Sequence, residues 1–89
     1  MTPSVSVVIV SFNTCALLRR CLTTLIEELA GISAEIFVVD NASTDGSPDL
    51  VAAEFPEVHL HRSPVNLGFG AANNIALKQA TGRYAILLN

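Results

Sequence analysis

Eighty-nine residues make one small domain at most, at the short end of what a single core can stabilise. With 51% hydrophobic and 15% charged residues the composition argues against disorder, and a net charge of −3 with five scattered Lys and Arg argues against a nucleic-acid-binding surface. No apolar run approaches the roughly 18–20 residues of a membrane span, and the N-terminal MTPSVSVVIVSF lacks the basic start of a signal peptide.

Val5 to Ser11 is β-branched at nearly every position, which suits a strand buried on both faces. Asn13 or Thr14 can cap the helix that follows. Its apolar positions, Leu17, Leu18, Cys21, Leu22, Leu25, Ile26 and Leu29, form one helical stripe, and Gly31 is its natural stop. Glu35 to Asp40 reads as the second strand. Ser47 then offers a capping hydroxyl and Pro48 a first helical residue, with Asp49 complementing the helix dipole and Pro56 closing the helix. Val58 to Arg62 alternates as a third strand, less apolar on one side and so expected near a sheet edge. SPVNLGFGAANN leads into a third helix with Ala72, Ile75, Ala76 and Ala80 on its packing face and Gly82 at its end. YAILLN is a fourth strand. The order βαβαβαβ predicts an α/β fold, a Rossmann-like doubly wound parallel sheet of four strands with right-handed crossovers, as a single domain over residues 1–89.

In an open parallel sheet, ligands bind beyond the carboxyl ends of the strands. The polar material falls there: Ser11-Phe12-Asn13, Asp40 to Ser47, Asn66-Leu67-Gly68 and the terminal Asn89. Asp40 has two readings, an acceptor for a nucleobase N–H or a ribose hydroxyl, and a cap of the next turn. Asn41, Ser43 and Thr44 read first as turn formers, and Asp45-Gly46 as turn chemistry in which Asp45 can also face a ligand. Gly68 to Asn73 departs from the dinucleotide fingerprint: it follows the third strand, and Asn73 replaces the last glycine. Two glycines at a helix start still admit a phosphate to backbone N–H groups, or simply permit a tight loop. Of Asn73 and Asn74, one can face the ligand and the other a neighbouring loop. His59 and His61 share a strand face without a Cys or carboxylate cluster and read as surface or packing residues. Cys15 and Cys21, roughly 9 Å apart along one helix, are too distant for a disulfide.

VSVVIVSFN, VVDNASTDGS, NLGFGAANN and TGRYAILLN resemble, in order and spacing, the N-terminal half of a family 2 glycosyltransferase of the GT-A fold. DNASTDGS with NLGF and LLN is most similar to the rhamnosyltransferase-type branch of bacterial polysaccharide synthesis. The resemblance implies that this half binds the nucleotide of a UDP- or dTDP-linked sugar donor. Ser11, Phe12 and Asn13 would line the base pocket, with Phe12 stacking, and Asp40 would hydrogen-bond the base. Asn41, Ser43 and Asp45 would shape the loop around the nucleoside, and Gly68, Asn73 and Asn74 would border the ribose and diphosphate. Many relatives carry an arginine at the position of Asn73, a departure that removes a charged phosphate contact.

The family's DxD motif starts at the end of the fourth strand, where Asn89 fits the first position of an Asn-Pro-Asp variant. Its metal-binding Asp and the catalytic base would lie further on. The complete enzyme is expected to use a divalent Mn or Mg. This chain alone is expected to bind no metal and to transfer no sugar, because no metal offsets charge on the departing diphosphate. The competing expectations are a non-catalytic interaction module keeping the fold and an unrelated Rossmann-like nucleotide binder. An uncovered YAILL edge predicts a homo-oligomer through strand 4, or pairing with a missing C-terminal half or membrane-associated machinery. The expected location is cytoplasmic, peripheral to the inner membrane in a full-length context.

Overall fold

The computed structural model describes residues 2–88, so the expectation placed on Asn89 lies outside the described residues. Seven elements alternate: β1 (Val5–Ser11), α1 (Cys15–Glu28), β2 (Ala34–Asn41), α2 (Ser47–Glu54), β3 (His59–Ser63), α3 (Gly68–Gln79) and β4 (Tyr84–Leu88). The strands form one parallel sheet in the order β3-β2-β1-β4, the doubly wound arrangement that the alternation predicts. The chain adds strands outward from β1 to β3, then returns to the other side of β1 for β4. The order therefore reverses between β1 and β4, where open α/β sheets hold their ligands.

Helices cover both faces of the two central strands. Val7, Ile9, Ile36 and Val38 pack with Leu18 and Leu22 of α1 and with Leu50 and Val51 of α2. Val8, Phe37 and Val39 meet α3 through Ala72 and Ala76, two small residues one turn apart that let the helix lie close to the sheet. Each fully buried Val or Leu contributes about 1.5–3 kcal/mol, which favours strands that stay apolar until their last positions. β3 is an edge strand, as its alternation implies, and β4 is the other edge.

Leu17 departs from the expected stripe. It is 65% exposed, whereas Leu18 and Leu22 are buried. Its position on α1 overhangs a groove on the β4 side of the helix, where Leu17, Cys21, Leu25 and Leu88 enclose about 510 Å³. Beside it, Tyr84, Ile86 and Leu87 of β4 are all at least 45% exposed.

The amino end of the sheet carries a polar cluster for which the sequence offers no motif. Ser6 is fully buried and its hydroxyl donates to Glu35 Oε2 at 2.6 Å. The same oxygen accepts the Thr81 N–H at 2.6 Å, the Thr81 hydroxyl donates to Oε1 at 3.1 Å, and the Gly82 N–H donates to Ser6 Oγ at 2.8 Å. One carboxylate thereby joins β1, β2 and the turn before β4. Burial pushes the Glu35 carboxyl up, but the bonds from Ser6 and Thr81 outweigh it and hold it below its usual range. Gly82 does not stop the helix, which ends at Gln79. It is a point of close approach: a Cβ there would sit 2.6 Å from Ser6 Oγ and 2.8 Å from the Val5 carbonyl carbon.

Candidate functional site

At the carboxyl edge of the sheet, the loops after β1 and β2 are laced together by side chains that bond backbone across the gap. Asn13 and Ala42 both adopt positive φ, at 51° and 65°, the non-glycine residues in that region of the map among those described. The Asn13 N–H donates to Ser43 Oγ at 2.9 Å, and the Thr44 N–H donates to Asn13 Oδ1 at 2.8 Å. Both bonds run between the loops rather than within one.

Asp45 completes the lacing. Its Oδ2 accepts the N–H of Cys15, the first residue of α1, at 3.0 Å. Its Oδ1 accepts the Ser47 N–H at 3.0 Å and also the Ser47 hydroxyl. A single carboxylate thus fills the amino ends of two helices, where unpaired N–H groups and the helix dipole favour negative charge. The Ser47 hydroxyl bond is the main reason its carboxyl lies below the usual range, with the Cys15 and Ser47 N–H groups adding to it against desolvation. This corrects two readings of the sequence. Thr14 occupies the cap position of α1 but its side chain makes no capping bond, and the Cys15 N–H is held by Asp45 instead. Ser47 is the first helical residue and not the cap. Gly46 holds the cap position at φ 86°, which only glycine adopts readily.

Asn41 is 3% exposed and uses both ends of its amide. Its Oδ1 accepts the Leu67 N–H at 2.8 Å and its Nδ2 donates to the Gly68 carbonyl at 3.0 Å. It fastens the end of β2 to the start of α3. The Gly68 N–H is held by Asn66 Oδ1 at 2.8 Å.

Asp40 is 2% exposed. Its Oδ2 accepts the Ser43 N–H at 2.9 Å, the turn-capping role open to it from sequence. Its Oδ1 is buried with no hydrogen-bond partner among the described residues. In the strand register Asp40 stands between Ser11 of β1 and Arg62 of β3, but the Arg62 guanidinium turns to Asp49 of α2 at 2.8 Å. An acceptor left this way costs about 1–3 kcal/mol.

Ser11 is buried and lies 3.3 Å from the Thr14 hydroxyl. Phe12 is 47% exposed. Together with Ile9, Val10, Leu17 and Cys21 they line a cavity of about 340 Å³ on the β1 side of the reversal point. Asp40 does not line it; Ser11, its register partner, does.

The two amides of α3 part company. Asn73 is 3% exposed, its Nδ2 donates to the Phe69 carbonyl one turn back at 3.1 Å, and its Oδ1 is buried without a partner. Asn74 is exposed. The structure thus gathers Ser11, Phe12, Asn13, Asp40, Asn41, Ser43, Asp45 and Gly68 at one edge, with Asn73 in the opening turns of the adjoining helix. Most of the side-chain polar groups in the loops are occupied by backbone N–H and C=O groups of these same loops and helix ends.

Among the described residues no three His, Cys, Asp or Glu side chains cluster closely enough to hold a metal ion. At this edge Asp45 is committed to two helix ends and Asp40 is closed over, so the donor set present does not fit a divalent metal.

The comparisons with known proteins agree with this architecture. The family model described as glycosyl transferase family 2 matches residues 6–89. The succinoglycan biosynthesis protein ExoO of Rhizobium meliloti is 33% identical over 88 residues, covering 98% of this chain and 25% of that protein. The N-acetylglucosaminyl-diphospho-decaprenol L-rhamnosyltransferase of Mycobacterium tuberculosis is 33% identical over 79 residues, covering 89% of this chain and 25% of that protein. Among solved structures, the Pyrobaculum calidifontis mannosyltransferase PcManGT, in complex with GDP-Man and Mn2+, superposes with a TM-score of 0.72 and 31% identity. That match covers 91% of this chain and 25% of that one. The chain spans about a quarter of the length of these relatives. A parallel sheet with this strand alternation, the family model and these neighbours leave no room for an unrelated dinucleotide binder: the chain belongs to glycosyltransferase family 2 and has the GT-A type of nucleotide-binding fold.

Proposed function

We propose that this chain is the nucleotide-sugar-binding part of a glycosyltransferase that passes a sugar, rhamnose in the first instance, to a polysaccharide or glycolipid acceptor. The observation that carries this reading is Asp40 Oδ1, a buried acceptor without a partner at the ligand-binding edge of the sheet. One carboxyl oxygen positions the loop through Ser43, and the other is left for an N–H donor supplied from outside the chain. Asp40 is 2% exposed, so a ligand reaches this oxygen only when the edge opens locally. Phe12 offers an exposed ring for base stacking, and about 340 Å³ beside it lies at the small end of ligand pockets.

One free oxygen suits an edge with one donor. Uracil and thymine present a single N3–H, whereas guanine presents two neighbouring donors that would need both carboxyl oxygens. The donor base is therefore uracil or thymine in this reading, unlike the GDP-Man of the mannosyltransferase neighbour. A divalent metal belongs to the complete enzyme, bound by groups beyond the described residues. In this reading the enzyme works on the cytoplasmic side of a membrane. No helix among the described residues is long and apolar enough to cross a membrane.

Calorimetric titration of the chain with UDP, dTDP and GDP, with and without manganese, tests the reading. UDP or dTDP should bind about tenfold more tightly than GDP, the equivalent of one unmatched polar group. Asp40→Asn keeps an acceptor for Ser43 but turns an NH2 toward the base and should abolish the preference. Unchanged UDP affinity in this variant would refute the base contact.

The open β4 edge supports a second reading, an interaction module. Arg20 and Glu28 flank the apolar groove of α1 at opposite ends, so a second copy laid antiparallel along β4 brings opposite charges together. Concentration-dependent mass by light scattering, removed by Leu17→Glu, is the expected result for a self-associating chain. A constant monomer mass that also fails to bind nucleotide counts against both readings.

A further inference from the structure

The far edge of the sheet, away from the nucleotide site, holds a feature that sugar transfer does not use. The β2–β3 register pairs Phe37 with His59 and Val39 with His61, which sets both imidazoles on the face that meets α3. Between that face and the helix lies a cavity of about 100 Å³, lined by Phe37, Val39, His59, His61, Ile75 and Gln79. Residues two apart on a strand stand roughly 6.6 Å apart at the backbone, within reach of a shared ion for two imidazoles. Metal–nitrogen bonds of about 2.0–2.1 Å bring the two ring nitrogens to roughly 3.3 Å of each other around a tetrahedral centre.

The His59 ring stacks on Phe37, with centroids 4.8 Å apart and planes inclined by 23°. Stacking occupies the face of the imidazole and fixes its plane, leaving the in-plane nitrogen lone pairs for a ligand. Glu35 lies close enough for His59 to act on its charge, but its oxygens are held by Ser6 and Thr81. The remaining polar group in the cavity lining is the Gln79 amide, whose oxygen is a neutral donor.

We propose that His59 and His61 form a two-imidazole site for a borderline divalent cation of the zinc type, with the Gln79 amide oxygen as third donor and water completing the shell. Two nitrogens and no carboxylate select zinc, nickel or copper over magnesium or manganese. The site is thus chemically distinct from any that would serve a diphosphate. It lies on edge strand β3, so an ion reaches it without opening the core.

Zinc titration of the full chain, followed by calorimetry and by the imidazole NMR signals, tests this. One zinc per chain should shift the signals of both histidines, and manganese should shift neither. His61→Gln, a change at an exposed residue whose folding is checked by its thermal melt, should weaken zinc binding by more than about tenfold, because a single imidazole cannot chelate. A Cys15→Ser/Cys21→Ser double variant should bind as the parent does. Equal affinity in His61→Gln, loss of binding only in the cysteine variant, or no binding at millimolar zinc would each overturn the proposal.

Discussion

Asn41 stands where a ligand-shaping residue is expected from sequence, yet the structure commits both ends of its amide to holding α3 against β2. Asn41→Ala separates the two roles. The change removes two hydrogen bonds, from the Leu67 N–H at 2.8 Å and to the Gly68 carbonyl at 3.0 Å. Each contributes about 1 kcal/mol net, and a buried side chain is truncated at the same point, so a loss of about 2–3 kcal/mol is expected. Leu67 and Gly68 are exposed, so water re-solvates their backbone and the larger penalty for orphaned groups does not apply. For a domain of this size that loss lowers Tm by roughly 8–24 °C. Urea unfolding measures the stability, and amide exchange at Leu67 reports the bond directly, since that N–H should exchange faster while the N–H groups of β1 keep their relative protection. Asn41→Asp is a sharper probe. It keeps the acceptor for Leu67 but turns a carboxylate oxygen toward the Gly68 carbonyl, and should be at least as destabilising at neutral pH. Stability within about 0.5 kcal/mol of the parent, coupled with a tenfold loss of nucleotide affinity, would refute the clamp and restore Asn41 to the nucleoside.

The remaining predictions concern the two carboxylates that join separate elements. Glu35 has a folded-state pKa below its ordinary value of 4.5, so its contribution is present above that pH and is lost as pH falls through the folded pKa. Thermal melts at pH 7 and pH 3 should show a loss in the parent that Glu35→Gln lacks, of about 1–2 kcal/mol after allowance for solvent exposure; parallel pH profiles would dismiss the stitch. Asp45 is also held below the ordinary carboxylate range, so its support is likewise present above its unfolded pKa and fades in acid. Asp45→Ala should lower Tm and speed exchange of the Cys15 amide in α1, an element 30 residues away in sequence. Exchange that accelerates only within residues 43–50 would show that Asp45 serves its own loop alone.

The polar loops were legible as a group, because a buried parallel strand that turns polar at its carboxyl end follows a general rule of open sheets. Their individual duties were not. Asp45, Asn13 and Asn41 each bond backbone about 26–31 residues away, and neither spacing nor propensity specifies such partners. Ser47 illustrates the difference: its preference for a helix start is local and placed α2 correctly, but the cap moved one residue because Gly46 takes the left-handed turn. Leu17 shows the same limit in packing. Helical period assigns it to the apolar stripe, but exposure depends on how far the sheet extends beneath α1.

By itself the sequence determined the alternation of strands and helices, the parallel sheet, the edge position of β3 and the end of the sheet at which the polar loops gather. Each follows from period, β-branching and turn chemistry, which act over a few residues. Only the tertiary structure decided which carboxyl oxygen lacks a partner, which amide is a fastener and which histidines share a cavity. Those outcomes depend on strand register and on loops that approach from distant parts of the chain, where a shift of one residue turns a side chain to the other face.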